Sequence, residues 1–327
     1  MIAYTVKSLA QAVLVLLAVG LIAFSMFRFV GDPVANLVGQ EASQADRQEL
    51  AERLGLNDPI IIQFGRFVTD VVQGEFGVSY RHGRKVSSLI AEKLPATVEL
   101  AVLSALFAMI MGVVLGVYTA IRRNGWLSHF IMTTSLIGVS LPTFLIGIGL
   151  IYLFAVELRW LPSFGRGETV KIGWWTTGLL TESGRRSLVM PVLTLSFFQL
   201  TLIMRLVRSQ MLETLRADYV KFARARGLPE SRIHFKHALR NTLIPVVTIA
   251  GLQLGSVIAF AIVTESVFQW PGLGALFVQA VQFVDIPVMS AYLLFVAVVF
   301  VVVNLVVDLL YYVLDPRLRT GRALTAK

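Results

Sequence analysis

The chain has 327 residues, 56% of them hydrophobic and 15% charged, with a mean hydropathy of +0.74. A soluble domain carries about a quarter charged residues, so composition excludes an ordinary soluble protein. The absence of cysteine excludes a disulfide framework, a thiolate metal site and a cysteine nucleophile. The net charge of +9 does not imply nucleic acid, because membrane proteins concentrate Lys and Arg in their cytoplasmic loops. No zinc-finger spacing or aromatic-basic RNA motif accompanies the charge.

A membrane span needs about 20 mostly apolar residues. Six such segments occur in chain order: Leu9–Val30, Val98–Ile121, Phe130–Val156, Leu188–Leu206, Leu243–Val267 and Val288–Leu314. The first is too long for a signal-peptide core and is followed by further spans, so it is expected to stay as an uncleaved anchor. Pro142 should kink or tilt the third. The fourth carries Gln199 and Arg205 and is the least apolar. With the N-terminus cytoplasmic, the inside segments hold 16 Lys/Arg in 67 residues and the outside segments 12 in 118. The positive-inside rule therefore places both termini in the cytoplasm. The expected organisation is an anchor helix over 1–30, an outer cap over 31–95, a membrane domain over 96–315 and a cytoplasmic tail over 316–327. In the cap, Gln44–Leu54 and Ile60–Val72 read as helices, Asn57-Asp58-Pro59 as a break and Gly74–Gly77 as the start of a turn.

The cytoplasmic loop 209–242 is the most informative stretch. Leu212, Leu215, Tyr219 and Phe222 recur at helical spacing and predict one apolar stripe on a helix over 212–226, with Lys221 and Arg224 opposite. Gly227 should end it, since glycine reaches the left-handed conformation that costs other residues about 1–2 kcal/mol. Pro229 then opens a second helix, where its missing N–H is harmless; this helix carries Arg232, Lys236 and Arg240 into the fifth span. Two readings stay open on pattern alone. The short helix is either a lever acting on the fifth span or a basic surface helix lying among lipid headgroups.

The run Asp218-Tyr-Val-Lys-Phe-Ala-Arg-Ala-Arg-Gly227, with His237-Ala-Leu-Arg-Asn241 after it, resembles the cytoplasmic signature loop of binding-protein-dependent ABC importer permeases. Ala223 and Gly227 match the general signature, and Leu239 lies twelve residues after the glycine. Lys221, Phe222, His237 and Arg240 depart from it in the manner of the peptide-permease branch. Gly74-Glu-Phe-Gly-Val-Ser79, Leu94-Pro-Ala-Thr-Val-Glu99 and Thr264-Glu-Ser-Val-Phe-Gln-Trp-Pro-Gly-Leu-Gly274 resemble that branch as well.

The resemblance implies an all-α integral membrane protein with about six transmembrane helices and the type I ABC importer fold, in a bacterial inner membrane. It implies a second homologous permease subunit, two ATP-binding subunits, an extracytoplasmic solute-binding protein and a peptide-like substrate. Leu215, Tyr219, Phe222, Ala223, Arg224, Ala225, Gly227, His237 and Asn241 would then couple to an ATPase subunit. No G-x-x-x-x-G-K-[ST] cradle occurs in the chain. The chain is thus expected to be no enzyme and to hold no cofactor, with ATP and Mg bound by the partners.

Glu99 and Glu265 lie toward the ends of their spans, as do Asp308, Arg28 and Arg205. Such charges either pair locally or line a translocation path, and the second reading is best for Glu99 and Glu265. His234 and His237 have metal-ligand spacing but no third ligand nearby in sequence. Gly112/Gly116 and Gly251/Gly255 form G-x-x-x-G pairs suited to close helix packing. The alternative from another class is an ion-gradient-driven secondary transporter, which predicts inverted repeats and midplane charges; no repeat is visible. A membrane-embedded enzyme would need a catalytic constellation within a span, and none is visible. The sequence leaves the substrate open among dipeptides, oligopeptides, glutathione, nickel, opines and oligosaccharides.

Overall fold

The computed structural model describes residues 2–29, 44, 45, 48, 52 and 57–314. Most of the expected Gln44–Leu54 helix, the tail 316–327 and the side chain of Asp308 lie outside the described residues.

Each of the six apolar segments falls on helix. Ile2–Phe29 covers the first, and Val86–Ile121 the second. The second helix begins twelve residues before the expected span and passes through Pro95. The third segment is a bent pair, Trp126–Ser140 and Thr143–Leu150, turning by more than 40° and ending in a π-helical stretch, Ile151–Glu157. Pro142 explains the break: it cannot donate to the ladder and disfavours helical geometry before it, and its own ψ of 139° is extended. Glu182–Thr214 covers the fourth, Leu239–Val267 the fifth and Ile286–Leu314 the sixth. By length and composition, four helices among the described residues can cross a membrane, or five if the bent pair counts as one.

The fourth segment, the least apolar in sequence, is the most enclosed of the first, second, fourth and sixth. Of its span window 61% is buried inside the fold, against 17% for the first span. Its polar groups therefore face protein: Gln199 Nε2 donates to the Gln253 carbonyl at 2.9 Å. Thr181 caps its N-terminus, accepting from the Gly184 N–H at 3.0 Å, which satisfies one of the open donors there.

The chain forms two compact units. One comprises residues 1–95 and 271–301. In it the amphipathic helix Ile60–Val72 packs on the first helix, with Phe24 against Phe64 and Phe67 at 5.5 and 5.8 Å. Gly74 and Gly77 turn the chain at φ 77° and 81°, and a bridge pairs Val78 with Lys85. The other unit comprises 96–270 and 302–327. One of its cores gathers Val207, Met211, Ala238 and Val246; another gathers Leu100, Leu195, Val257 and Trp270. Gly112 and Gly116 are packing glycines, since a Cβ on them would come within 2.7 Å of Ile203 and 2.6 Å of Val207. The loop between the third and fourth spans contains a short antiparallel hairpin, Val170–Ile172 with Trp175–Thr177, which the sequence did not announce.

Candidate functional site

The corner between the fourth and fifth spans is built almost wholly from local chemistry. The Glu182–Thr214 helix stops at Leu215, and after two residues a new helix runs over Asp218–Ala225. The expected helix over 212–226 is thus broken. Leu212 belongs to the long helix and Leu215 to the joint between the two. Asp218 stands in the first turn of the short helix, where its charge complements the dipole. At the other end Gly227 adopts φ 76°. Its N–H donates to the Arg224 carbonyl at 2.9 Å, and the Leu228 N–H donates to the Ala223 carbonyl at 3.3 Å. This pair of bonds is the Schellman ending, and Leu228 packs against the cluster of Val220, Ala223 and Ile233. Pro229 then starts Glu230–Arg232, which runs through a π-helical stretch, Ile233–Ala238, into Leu239–Val267.

Three kinds of contact fasten the short helix to the segment 228–241. Val220 and Ala223 pack on Ile233, with Leu215 and Leu228 at the edge. Arg224 grips Glu230 with two hydrogen bonds, Nε to Oε1 at 2.6 Å and Nη2 to Oε2 at 3.2 Å. Asn241 Nδ2 donates to the Tyr219 hydroxyl at 2.8 Å. Hydrogen bonding from Arg224 holds the Glu230 carboxyl below the usual carboxylate range, and Glu230 raises the guanidinium in turn. Lys221 likewise lowers Asp218. His234 Nε2 lies 3.2 Å from Glu230.

The single stripe expected from Leu212, Leu215, Tyr219 and Phe222 is corrected by this geometry. Val220 and Ala223 face inward, while Tyr219 is 44% and Phe222 63% exposed. The break at 215–217 rotates the second helix relative to the phase that a continuous helix would keep. Ala225, Gly227 and Asn241 are also exposed, and His237 is half-buried.

A second polar assembly surrounds Glu99, and it joins stretches that the sequence kept apart. Its carboxylate accepts from Arg166 Nε at 3.2 Å and from Arg166 Nη2, from the Thr177 hydroxyl at 2.7 Å and from the Gly178 N–H at 3.1 Å. Arg166 also donates to the Thr176 hydroxyl and carbonyl at 3.0 and 2.7 Å. Both partners are buried. Beside them Glu265 accepts from the Thr97 hydroxyl at 2.6 Å, and Trp270 Nε1 donates to the Ala96 carbonyl at 3.0 Å. Two stretches picked out separately by resemblance therefore meet through Ala96, Thr97, Glu265 and Trp270. Glu99 is therefore paired locally with Arg166, and Glu265 is held by a hydrogen bond from Thr97. Arg166 was missed in the sequence, because nothing in its loop marks it from the other arginines. The same holds for Asp285, whose buried carboxylate accepts from the Ser79 hydroxyl at 2.5 Å and the Tyr80 N–H at 3.2 Å.

The fold is thus a set of long apolar helices with a clamped helical corner between the fourth and fifth segments. Residues 112–320 match the family described as binding-protein-dependent transport system inner membrane component, and residues 1–101 match the N-terminal component of such systems. The chain belongs to this family, the permease subunits of ABC importers.

It is 37% identical to the dipeptide transport system permease protein DppB of Alkalihalophilus pseudofirmus, over 98% of this chain and 100% of that one. It is 40% identical to the probable D,D-dipeptide transport system permease protein DdpB of Escherichia coli, over 94% and 95%. It is 36% identical to the glutathione transport system permease protein GsiC of Salmonella paratyphi A, over 98% and 99%. Among solved structures it resembles the MetNI methionine ABC transporter in inward-facing conformations, with a TM-score of 0.55 and 18% identity over 69% of this chain and 96% of that chain. That likeness shows the type I importer permease fold. The comparisons give no support to an ion-gradient-driven transporter.

Proposed function

We propose that this permease imports peptides or solutes of similar size, and that the Asp218–Ala225 helix is where ATP-driven movement enters it. The observation that carries the second part is the corner itself. A helix of eight residues stands outside the bundle, presents Tyr219 and Phe222 to solvent, and is clamped to the fifth span. Exposed aromatic side chains on a rigid support have the character of interface anchors. A groove on an ATP-binding subunit would take them. Pressure on the helix would reach Leu239–Val267 with little slack, because Arg224–Glu230, Tyr219–Asn241 and the Val220–Ile233 contact resist bending.

In this reading the chain works with a second related permease, two ATP-binding subunits that carry ATP and Mg, and an extracytoplasmic binding protein. It has no ATPase site of its own, and both termini and the corner lie in the cytoplasm. The relatives named for dipeptides, D,D-dipeptides and glutathione support a peptide-like substrate.

Gentle affinity purification from the native membrane tests the assembly. A second hydrophobic subunit and one or two ATPase subunits should accompany the chain. Arrival alone, with transport in liposomes that needs no ATP, would overturn the reading. Phe222→Ala should leave the chain inserted, since exposed substitutions usually change stability by no more than about 0.5 kcal/mol. It should weaken retention of the ATPase subunits about tenfold or more, the loss expected of an aromatic anchor. Undiminished retention would remove Phe222 from the interface.

A further inference from the structure

The unit made of residues 1–95 and 271–301 contains two cavities that share a wall and differ sharply in chemistry. The upper one, about 260 Å³, is lined by Arg28, Arg66, Asp70 and Glu75 together with Phe24 and Ser290. The lower one, about 460 Å³, is lined almost entirely by apolar groups, among them Val13, Leu17, Gly20, Val71 and Val298. Phe67, Phe76 and Leu294 line both. On the first helix the lining runs from Arg28 to Val13, a rise of about 22 Å at 1.5 Å per residue. That is enough to span a headgroup region and one leaflet of a hydrocarbon core about 30 Å thick. The helix Ile60–Val72, which supplies Arg66 and Asp70, leaves Ile60, Ile61, Ile62 and Val72 exposed. It is therefore built to lie at a membrane surface, which sets the charged cavity at headgroup depth.

We propose that this groove binds one phospholipid with a primary-amine headgroup. Arg28 and Arg66 would take its phosphate, Asp70 and Glu75 its ammonium, and the lower cavity an acyl chain. Two cations beside two carboxylates match a zwitterion better than an anionic headgroup. Arg66 now pairs with Asp58 at 2.9 Å, and Glu75 with Lys85 at 2.9 Å. Both pairs are solvent-exposed and weak, so each can exchange toward a ligand. Gly20 lies in the lower wall with no atom within 4 Å of where a Cβ would be, so the cavity reaches the helix backbone itself. The site needs only the membrane setting of the chain and not its substrate.

The assembled importer, purified in detergent and analysed by native mass spectrometry, should retain a phosphatidylethanolamine on this subunit. Arg28→Gln should lower retention about fivefold, the loss expected for one basic contact at a headgroup. Gly20→Leu, whose Cβ meets no atom within 4 Å and whose side chain would obstruct the lower cavity, should abolish retention while assembly and ATP hydrolysis persist. In nanodiscs, replacing phosphatidylethanolamine by phosphatidylcholine, whose headgroup cannot donate hydrogen bonds, should lower the melting temperature of wild type and not of Gly20→Leu. Equal retention in all three proteins, retention of phosphatidylglycerol instead, or a crosslink from residue 20 to a partner subunit would overturn the proposal. None of these outcomes bears on whether the importer carries peptides.

Discussion

Around Glu99, four donors from its own chain close on a single buried carboxylate, whereas at the corner of residues 215–241 the charged and aromatic side chains stand largely in the open. The contrast separates two uses of polar chemistry. A buried ion is tolerable only when its partner and remaining lone pairs are satisfied, so the Glu99 cluster holds the loop 165–178 against the second span. The corner spends its interactions on fixing the backbone and leaves Tyr219 and Phe222 exposed. A fastened backbone with aromatic surface left exposed is the arrangement expected where a partner binds; polar groups enclosed and satisfied within the chain are the arrangement expected where the protein supports itself.

The largest effect should come from breaking the enclosed cluster. Glu99→Ala leaves Arg166 buried without its counter-charge and should destabilise the chain by about 3–5 kcal/mol, read as a lower melting temperature and poor recovery from the membrane. A Glu99→Ala protein that melts with wild type yet slows uptake would instead place the carboxylate on the translocation path and erase the contrast.

The corner should respond differently. Gly227→Val meets no atom within 4 Å of its Cβ, and its main cost is the left-handed backbone, about 1–2 kcal/mol or more for a β-branched residue. The variant should insert and assemble, and ATP hydrolysis should continue with little uptake. Gly227→Asn, which tolerates that conformation, should recover much of the coupling. Normal uptake by the valine variant would defeat the lever.

The smallest effect is a pH dependence. Because Arg224 depresses the Glu230 carboxyl, the stability it contributes is present above the ordinary glutamate value of about 4.3 and is lost as pH falls through the lower folded value. Wild type should melt slightly above Glu230→Gln at pH 7, and the gap should close below that range. A gap that persists in acid would mean that Glu230 acts by shape and not by charge.

The family motifs, the six apolar segments, the Gly227 ending and the Pro229 restart were all legible in the chain, because each depends on residues within a turn or two of one another. The single stripe that joined Leu212 and Leu215 to Tyr219 and Phe222 failed for a matching reason: helical phase was carried across residues 215–217, where the helix stops. Arg166 and Asp285 were invisible, since their partners lie 67 and 206 residues away. Periodicity contains no information at that range. The hairpin over 170–177, with strands of only three residues, is too short to stand out from a loop.

By itself, then, the sequence determined that this chain is a membrane protein, where its apolar helices run, where its corner turns and which family it joins, for these rest on local hydrophobicity, backbone preference and motif order. Only the tertiary structure decided which charges are enclosed, which aromatic side chains face outward and which polar and apolar cavities share a wall. Those outcomes depend on burial and on contacts between distant segments, and burial is a property of the folded chain that no residue carries alone.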